Sequence, residues 1–186
     1  MKSFLIAPWL LFSSFSLYAQ STTETTLPVD TETKRVTYTG VVAVKGVTQN
    51  ELYTRAKLWL GLTFDDAKDV IKVDEKDAGL IVIRGYSDLP IQSSMTGLMP
   101  ANMELGYTMT LNFKDERYKY TLTNYQLVSG AISSTLEKEI STQLSKPKNK
   151  GVIIAKQYAK SVDTFARLLT ESVDATLHKP VSGDGW

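Results

Sequence analysis

The feature that most constrains the fold is a strict alternation of apolar and polar residues over residues 103–114. The apolar members are Met103, Leu105, Tyr107, Met109, Leu111 and Phe113, and the residues between them are polar or glycine. Because successive side chains point to opposite faces of a β-strand, this pattern predicts a strand with one buried and one solvated face. It therefore predicts a sheet that is covered on one side only.

A second predicted strand follows a tight polar turn at residues 114–117. Tyr118, Tyr120 and Leu122 alternate there with polar residues, and strand character continues to about Val128, so the two segments are predicted to form a β-hairpin. Three further segments have strand character: residues 35–44, 70–73 and 80–86. Residues 86–102 contain proline, glycine and small polar residues, which predicts a long loop.

Two segments have the apolar spacing of amphipathic helices. The first begins after Thr48, which has the spacing of a capping box with Glu51, and its apolar stripe comprises Leu52, Ala56, Trp59, Leu60 and Thr63. The second is a long C-terminal helix with the stripe Ile154, Tyr158, Val162, Phe165, Ala166, Leu169 and Val173. Between the hairpin and this helix, Ser134 and Glu137 predict the start of a short helix with Leu136, Ile140 and Leu144, ended by a basic turn.

This order of elements predicts an α+β fold. We expect an antiparallel sheet of about five strands, in the order β-α-β-β-β-β-α, with the helices packed on one face. The other face would remain in water, and its residues are good strand formers that tolerate solvent. They are Thr37, Thr39, Thr108, Thr110, Asn112, Lys119, Thr121 and Thr123.

The N-terminus predicts a secretory signal peptide. Lys2 precedes a short apolar stretch that Pro8 interrupts, and small or polar residues lead to a cleavage site between Ala19 and Gln20. A membrane-spanning helix would need roughly 20 apolar residues. We therefore expect a periplasmic or secreted protein with no transmembrane segment after cleavage. Its parts are a signal peptide (1–19), a flexible lead (20–33), one domain (34–178) and a C-terminal tail (179–186).

Charge and cysteine content exclude several classes of function. The formal net charge is +1, and the predicted cleavage removes Lys2, so the exported chain is neutral. Nucleic-acid binding needs several cations that neutralise phosphates, and we therefore expect no nucleic-acid partner. The chain has no cysteine, which excludes disulfides, thiolate metal sites and a cysteine nucleophile.

The sequence singles out no catalytic or metal-binding pattern. His178 is the only histidine, and we interpret it as a cation at a helix end rather than as a member of a catalytic triad. The acidic clusters at residues 65–69 and 74–77 fit solvated turns better than a calcium loop. We expect no cofactor and no enzymatic activity. The alternative is a hydrolase whose carboxylates converge only in the folded protein.

Four segments, taken in order, resemble a known family: residues 41–53, 56–60, 64–71 and 113–120. The resemblance is to an exported bacterial domain of unknown function with a TATA-binding-protein-like fold, and it covers roughly residues 34–123. It implies a fold and a location in the cell envelope, but no established activity. The chain departs from the family pattern in the long loop before Met103 and in the hairpin turn, where Glu116 replaces the expected glycine.

We therefore expect a non-enzymatic module that binds a peptide, a glycan or a protein of the cell envelope. One candidate surface is the loop of residues 87–102, because apolar side chains on such a segment suit an adaptable contact; the alternative is that this loop folds back as a lid on the core. The candidate contacts in the loop are Leu89, Ile91, Met95, Leu98 and Met99. The other candidate is the open sheet face, with Thr108, Thr110, Thr121 and Thr123 as candidate contacts.

Overall fold

A computed structural model describes residues 26–89, 103–147 and 149–180. The strands in these residues are β1 (Tyr38–Ala43), β2 (Ile71–Glu75), β3 (Leu80–Asp88), β4 (Glu104–Lys114), β5 (Arg117–Ser129) and β6 (Ile132–Thr135). The helices are α1 (Gln49–Thr63), α2 (Ala67–Val70), α3 (Leu136–Leu144) and α4 (Lys150–Leu177). The predicted signal peptide, the first part of the predicted lead and residues 181–186 of the predicted tail lie outside the described residues.

All strand pairs are antiparallel, and the sheet has the order β1-β5-β4-β3-β2. The sixth strand, β6, pairs with the C-terminal half of β5, whereas β1 pairs with its N-terminal half. The helices pack on one face of this sheet, which we call the inner face, and the opposite face is the outer face. This architecture confirms the predicted α+β class and the predicted helix-covered antiparallel sheet.

The alternation that predicted β4 places its side chains as expected. Leu105, Tyr107, Met109, Leu111 and Phe113 are buried, whereas Thr108 and Thr110 are partly exposed on the outer face. Lys114 pairs with Arg117 across a two-residue turn. In that turn Glu116 adopts a φ of 63°, a left-handed conformation that favours glycine, and this explains the glycine of the family pattern.

A bulge in β5 changes which residues point inward. The register of the β4–β5 pair shifts between Gly106 and Thr108, and Asn124 on β5 has a φ of 57°. Leu122 and Tyr125 are both buried although they are three positions apart, because the bulge inserts an extra residue between them. Tyr125 and Leu127 therefore continue the inner face along the second half of the strand.

The core lies between the inner face and the helices α1 and α4. Every residue of the apolar stripe predicted for the C-terminal helix is buried, as are Leu52, Ala56, Trp59 and Leu60 of α1. The Trp59 indole donates a hydrogen bond of 3.1 Å to the Ser172 hydroxyl, which joins α1 to α4. The structure thus confirms the predicted buried side of α4 and most of the predicted buried side of α1.

Three predictions about α1 need correction. Thr63 is exposed at the end of the helix, not part of its apolar stripe. Arg55, expected outside the stripe, is only 5% exposed, because its guanidinium donates to the carbonyl of Leu177 on α4 at 2.6 Å. The Thr48 hydroxyl accepts from the amide of Glu51 as predicted, but the Glu51 carboxylate pairs with Arg55 and does not reach back to Thr48.

Two other segments also differ from the prediction: the residues after β5 and the residues before β1. Residues 132–135 form β6, which the sequence pattern did not predict, and Thr135 rather than Ser134 caps α3 by accepting from Lys138 at 3.3 Å. The described part of the predicted flexible lead is an ordered turn. Val29 forms a bridge with Val36, and the Asp30 carboxylate accepts from the amide of Thr33 at 2.7 Å.

Strand β3 runs to Asp88, beyond the predicted end at Tyr86. The ladder extends further because the amide of Leu89 donates to the carbonyl of Met103 at 3.0 Å. The Leu89 side chain is 6% exposed and belongs to the core. The prediction that Leu89 is a partner contact is therefore wrong, since its side chain is already packed.

Candidate functional site

The outer face of the sheet is the candidate site, because the helices leave it uncovered. Strand pairing brings the predicted threonines into one block: Thr108 lies opposite Thr123, and Thr110 lies opposite Thr121. Thr39 on β1 lies opposite Thr121 from the other side. All four threonines predicted as contacts are partly exposed and occupy adjacent positions on β4 and β5.

Hydroxyl hydrogen bonds hold part of this block in place. The hydroxyl of Thr39 donates to the carbonyl of Tyr120 at 2.9 Å, and the hydroxyls of Thr37 and Thr123 are 3.0 Å apart. Thr123 also donates to the carbonyl of Val36 at 3.2 Å. Because β1 and β5 are joined by side chains as well as backbone, this part of the face is a preformed polar surface.

A basic cleft of about 360 Å³ occupies the hairpin end of the outer face. Its lining residues are Val41, Asn112, Lys114, Arg117, Tyr118 and Lys119. Lys114 lies directly opposite Arg117, and Lys119 lies between Asn112 on β4 and Val41 on β1. The three cations are exposed, and none of them forms an ion pair with another described residue.

Both carboxylates of the hairpin turn are used elsewhere. The Asp115 carboxylate accepts from the amide of Gln49 at 2.8 Å, at the start of α1. The Glu116 carboxylate accepts from the amide of Gly46 at 3.0 Å. These bonds hold the two carboxylates against the segment between β1 and α1. Neither carboxylate therefore pairs with a cation of the basic cleft.

A smaller cleft of about 210 Å³ lies at the β5 bulge. Its lining residues are Arg35, Arg84, Asn124, Tyr125, Gln126, Thr135 and Glu137. Its side chains are partly committed to the fold: Arg35 donates to the Asn124 side chain, and the Glu137 carboxylate accepts from the amide of Val36 at 2.8 Å. These contacts join the residues just before β1 to β5 and α3.

Three tyrosine–carboxylate pairs lie below the sheet, away from the outer face. Tyr38 donates to Asp163 at 3.0 Å, Tyr118 donates to Asp174 at 2.9 Å, and Tyr53 donates to Asp74. Burial, followed by the Asp74 carboxylate, raises the pKa of Tyr53 to about 12, and burial is also the main cause that raises the pKa of Tyr38 and Tyr118 above the ordinary tyrosine value. These hydroxyls stay protonated and connect the sheet to other elements.

The other predicted chemistry falls into structural roles. His178 caps the end of α4 and lies 3.2 Å from the Asp174 carboxylate. Asp66 caps α2 by accepting from Lys68 at 2.9 Å, and Asp74 pairs with Lys57. Within residues 26–89, 103–147 and 149–180, no group of three or more histidine, cysteine or acidic residues has the arrangement of a metal site.

The structure thus describes one of the two predicted surfaces in full and only one candidate contact of the other. The threonines Thr108, Thr110, Thr121 and Thr123 lie together, whereas Ile91, Met95, Leu98 and Met99 lie outside the described residues. The cationic group of Lys114, Arg117 and Lys119 was not predicted as a site. The signal was present, because the two-residue turn and the alternation together place all three on the solvated face.

Comparison with known proteins agrees with this architecture. Residues 38–128 match the model of a domain of unknown function (DUF4468) with TBP-like fold. A TBP-like protein from Parabacteroides distasonis is similar over 83% of this chain and 98% of its own, with a TM-score of 0.66 and 14% identity. A DUF4468 family protein from Bacteroides ovatus is similar over 85% and 94%, with a TM-score of 0.65 and 18% identity.

No protein with curated annotation matches the chain. Among the described helices, none combines the length and apolar character needed to cross a membrane. The similar structures share less than a fifth of their residues with this chain, so they establish the fold alone. Together with the match over residues 38–128, they show that this chain carries a DUF4468 domain with a TBP-like fold.

Proposed function

We propose that the protein is an exported, non-enzymatic binding module of the cell envelope, and that its ligand surface is the outer face of the sheet. The observation that supports this is the asymmetry of the sheet. The inner face packs against the helices and forms the core, whereas the outer face presents a hydrogen-bonded block of threonine hydroxyls beside a basic cleft. Polar, preformed and uncovered surfaces of this kind suit recognition of a peptide, a glycan or a protein.

Export is the part of this proposal that rests on the sequence. Lys2, the apolar stretch after it and the small residues before Gln20 are typical of a secretory signal. N-terminal sequencing of the protein recovered from the periplasm or medium of a bacterial host would test it. We expect a chain that starts at Gln20, and an intact N-terminus in the cytoplasmic fraction would contradict export.

The chemistry of the described carboxyl groups favours binding over hydrolysis. A general acid at neutral pH needs a raised pKa. The pKa of Asp30 is instead lowered by hydrogen bonds, first from the amide of Thr33, and the pKa of Asp74 is lowered by hydrogen bonds from Lys57 and Tyr53. The described residues that line the larger cleft are three cations, Asn112, Val41 and Tyr118, and none of these is acidic.

The test is a map of ligand contacts on the purified protein. We would titrate a panel of short peptides and cell-wall oligosaccharides and follow the backbone amides by NMR. We expect a ligand to shift the amides of Thr108, Thr110, Thr121 and Thr123. The exposed side of α4 around Arg167 and Leu168 is the internal control. Shifts confined to that side would contradict the proposal.

A further inference from the structure

One backbone edge of strand β1 is unpaired among the residues that the structure describes. The amides of Val36 and Val44 point toward the β5 side, where they donate to Glu137 and to the carbonyl of Glu116. The amide of Thr37 points the other way and donates to the carbonyl of Pro28 at 2.9 Å. Because backbone groups alternate along a strand, the amides and carbonyls of Thr39, Val41 and Ala43 also point away from β5.

No described residue pairs with this part of the edge. Among the described residues before β1, Val29 forms a bridge with Val36 and Pro28 accepts from the amide of Thr37. Strand edges are usually protected by charges, prolines or bulges, and Tyr38–Ala43 contains neither a charge nor a proline. Val41 is 66% exposed. The edge is therefore available as a template for one more strand.

The basic cleft borders this edge. Lys119 lies directly opposite Val41, and Arg117 lies directly opposite Ala43, all on the outer face. The side chains of Val41 and Ala43 are short, so the long side chains of Lys119 and Arg117 can extend across them toward a strand added beside β1. Such a strand would lie about 4.8 Å from β1, and its outer-face residues would meet the two cations.

The cations at this place have no ion-pair partner in the described part of the chain. Lys114 and Arg117 are directly opposite each other, and like charges in that position destabilise a sheet. Asp115 and Glu116 bind backbone amides and do not neutralise them. A ligand that brings carboxylates would relieve this repulsion.

We propose that the free edge of β1 binds an extended acidic peptide segment, which adds to the sheet as a further strand. The backbone of Thr39, Val41 and Ala43 supplies the main-chain hydrogen bonds, and Lys119 and Arg117 bind acidic side chains at alternate positions. This inference rests on the proposed binding function and names its partner class. A second copy of the chain fits less well, because two β1 edges side by side would bring the cations of both copies together.

The test uses a fluorescent peptide of alternating threonine and glutamate and a matched peptide of alternating threonine and lysine. Fluorescence anisotropy with the purified full chain would measure both affinities. We expect binding of the acidic peptide only, weakened by salt because the contact includes exposed charges. The variant R117E/K119E should lose about tenfold in affinity or more, while K138E/K160E, which makes the same charge change elsewhere, should not.

A second probe separates edge pairing from simple charge attraction. An acidic peptide that is N-methylated at alternate residues on the β1-facing side cannot complete the ladder, and it leaves the protein unchanged. We expect its affinity to fall about tenfold or more. Equal binding of this peptide, or of the acidic peptide to R117E/K119E, would overturn the inference. So would failure of the acidic peptide to bind the wild-type chain.

Sedimentation of the free protein tests whether a second copy of the chain occupies the β1 edge instead. Concentration-dependent dimers that the acidic peptide does not dissociate would show that a second copy covers the edge and would overturn the inference. Shifts of the threonine block with another ligand, without acidic-peptide binding, would remove this inference and leave the proposed function standing. If the acidic peptide does not bind and no ligand shifts the threonine block, both this inference and the proposed function are overturned.

Discussion

Leu122 and Thr121 are neighbours on β5 but lie in opposite environments. Leu122 is fully buried under the helices, whereas Thr121 is partly exposed among other threonines on the outer face. The inner face contributes most of the stability, because apolar burial is the dominant favourable term in folding. The outer face buries less apolar surface and is the proposed ligand surface. The sheet thus separates the stability of the domain from its proposed binding role.

The largest expected effect compares these two neighbours directly. L122A should lower the free energy of unfolding by about 2–5 kcal/mol, because it removes buried methyl groups and leaves a cavity. T121A should change it by only about 0.5 kcal/mol. Urea denaturation followed by circular dichroism measures both. Equal losses for the two variants would contradict the division of the sheet into a structural and an open face.

A smaller effect is expected where the inner face binds α4 through a polar contact. Y118F removes the hydroxyl that donates to Asp174 and should cost about 1–2 kcal/mol at pH 7. Burial first, and the hydrogen bond to Asp174 second, raise the pKa of Tyr118 above its ordinary value of 10. The folded state therefore favours the protonated hydroxyl, and this contribution is complete below pH 10 and is lost as the pH rises through the folded pKa.

The wild type should then lose stability more steeply than Y118F above about pH 10, so that the difference between them shrinks. Thermal unfolding at several alkaline pH values measures this change. T39V removes a hydroxyl bond to the carbonyl of Tyr120 on the outer face and serves as the matched control. A pH-independent gap between wild type and Y118F would show that Tyr118 does not titrate differently in the two states.

The smallest effect concerns the turn that joins β4 to β5. Glu116 has a φ of 63°, which is strained for any residue with a Cβ atom. Both E116A and E116G lose the carboxylate that accepts from Gly46, but only E116G relieves the strain. We expect E116G to be more stable than E116A by about 1 kcal/mol in chemical denaturation. Equal stability would mean that the turn relaxes when the carboxylate is lost.

Much of the fold could be predicted because its signals are local. The alternation in β4 and the stripe of α4 each report the environment of a single element, and the structure confirms both. The bulge at Asn124, the strand β6 and the buried Arg55 could not be predicted in the same way. Each depends on contacts with another element: β4 for the bulge, β5 for β6, and Leu177 on α4 for the Arg55 guanidinium.

The candidate site likewise has one part that the sequence predicted and one part that depends on the tertiary structure. Alternation predicted that Thr108 and Thr121 share the solvated face, and pairing places Thr121 opposite Thr110, two positions along β4 from Thr108. The basic cleft needed the hairpin register, the position of β1 beside β5 and the diversion of Asp115 to Gln49. Charge composition gave no indication of it, because the net charge of the whole chain is only +1.

The sequence by itself determined which side of β4 and of the first half of β5 enters the core, since a side chain's polarity and its alternation are properties of neighbouring residues. The tertiary structure decided that β1 and β6 share one side of β5, and that no described strand pairs with the other edge of β1, beside three cations. Strand order and edge exposure arise from contacts between distant segments, and the energy of those contacts exists only once the whole sheet has formed.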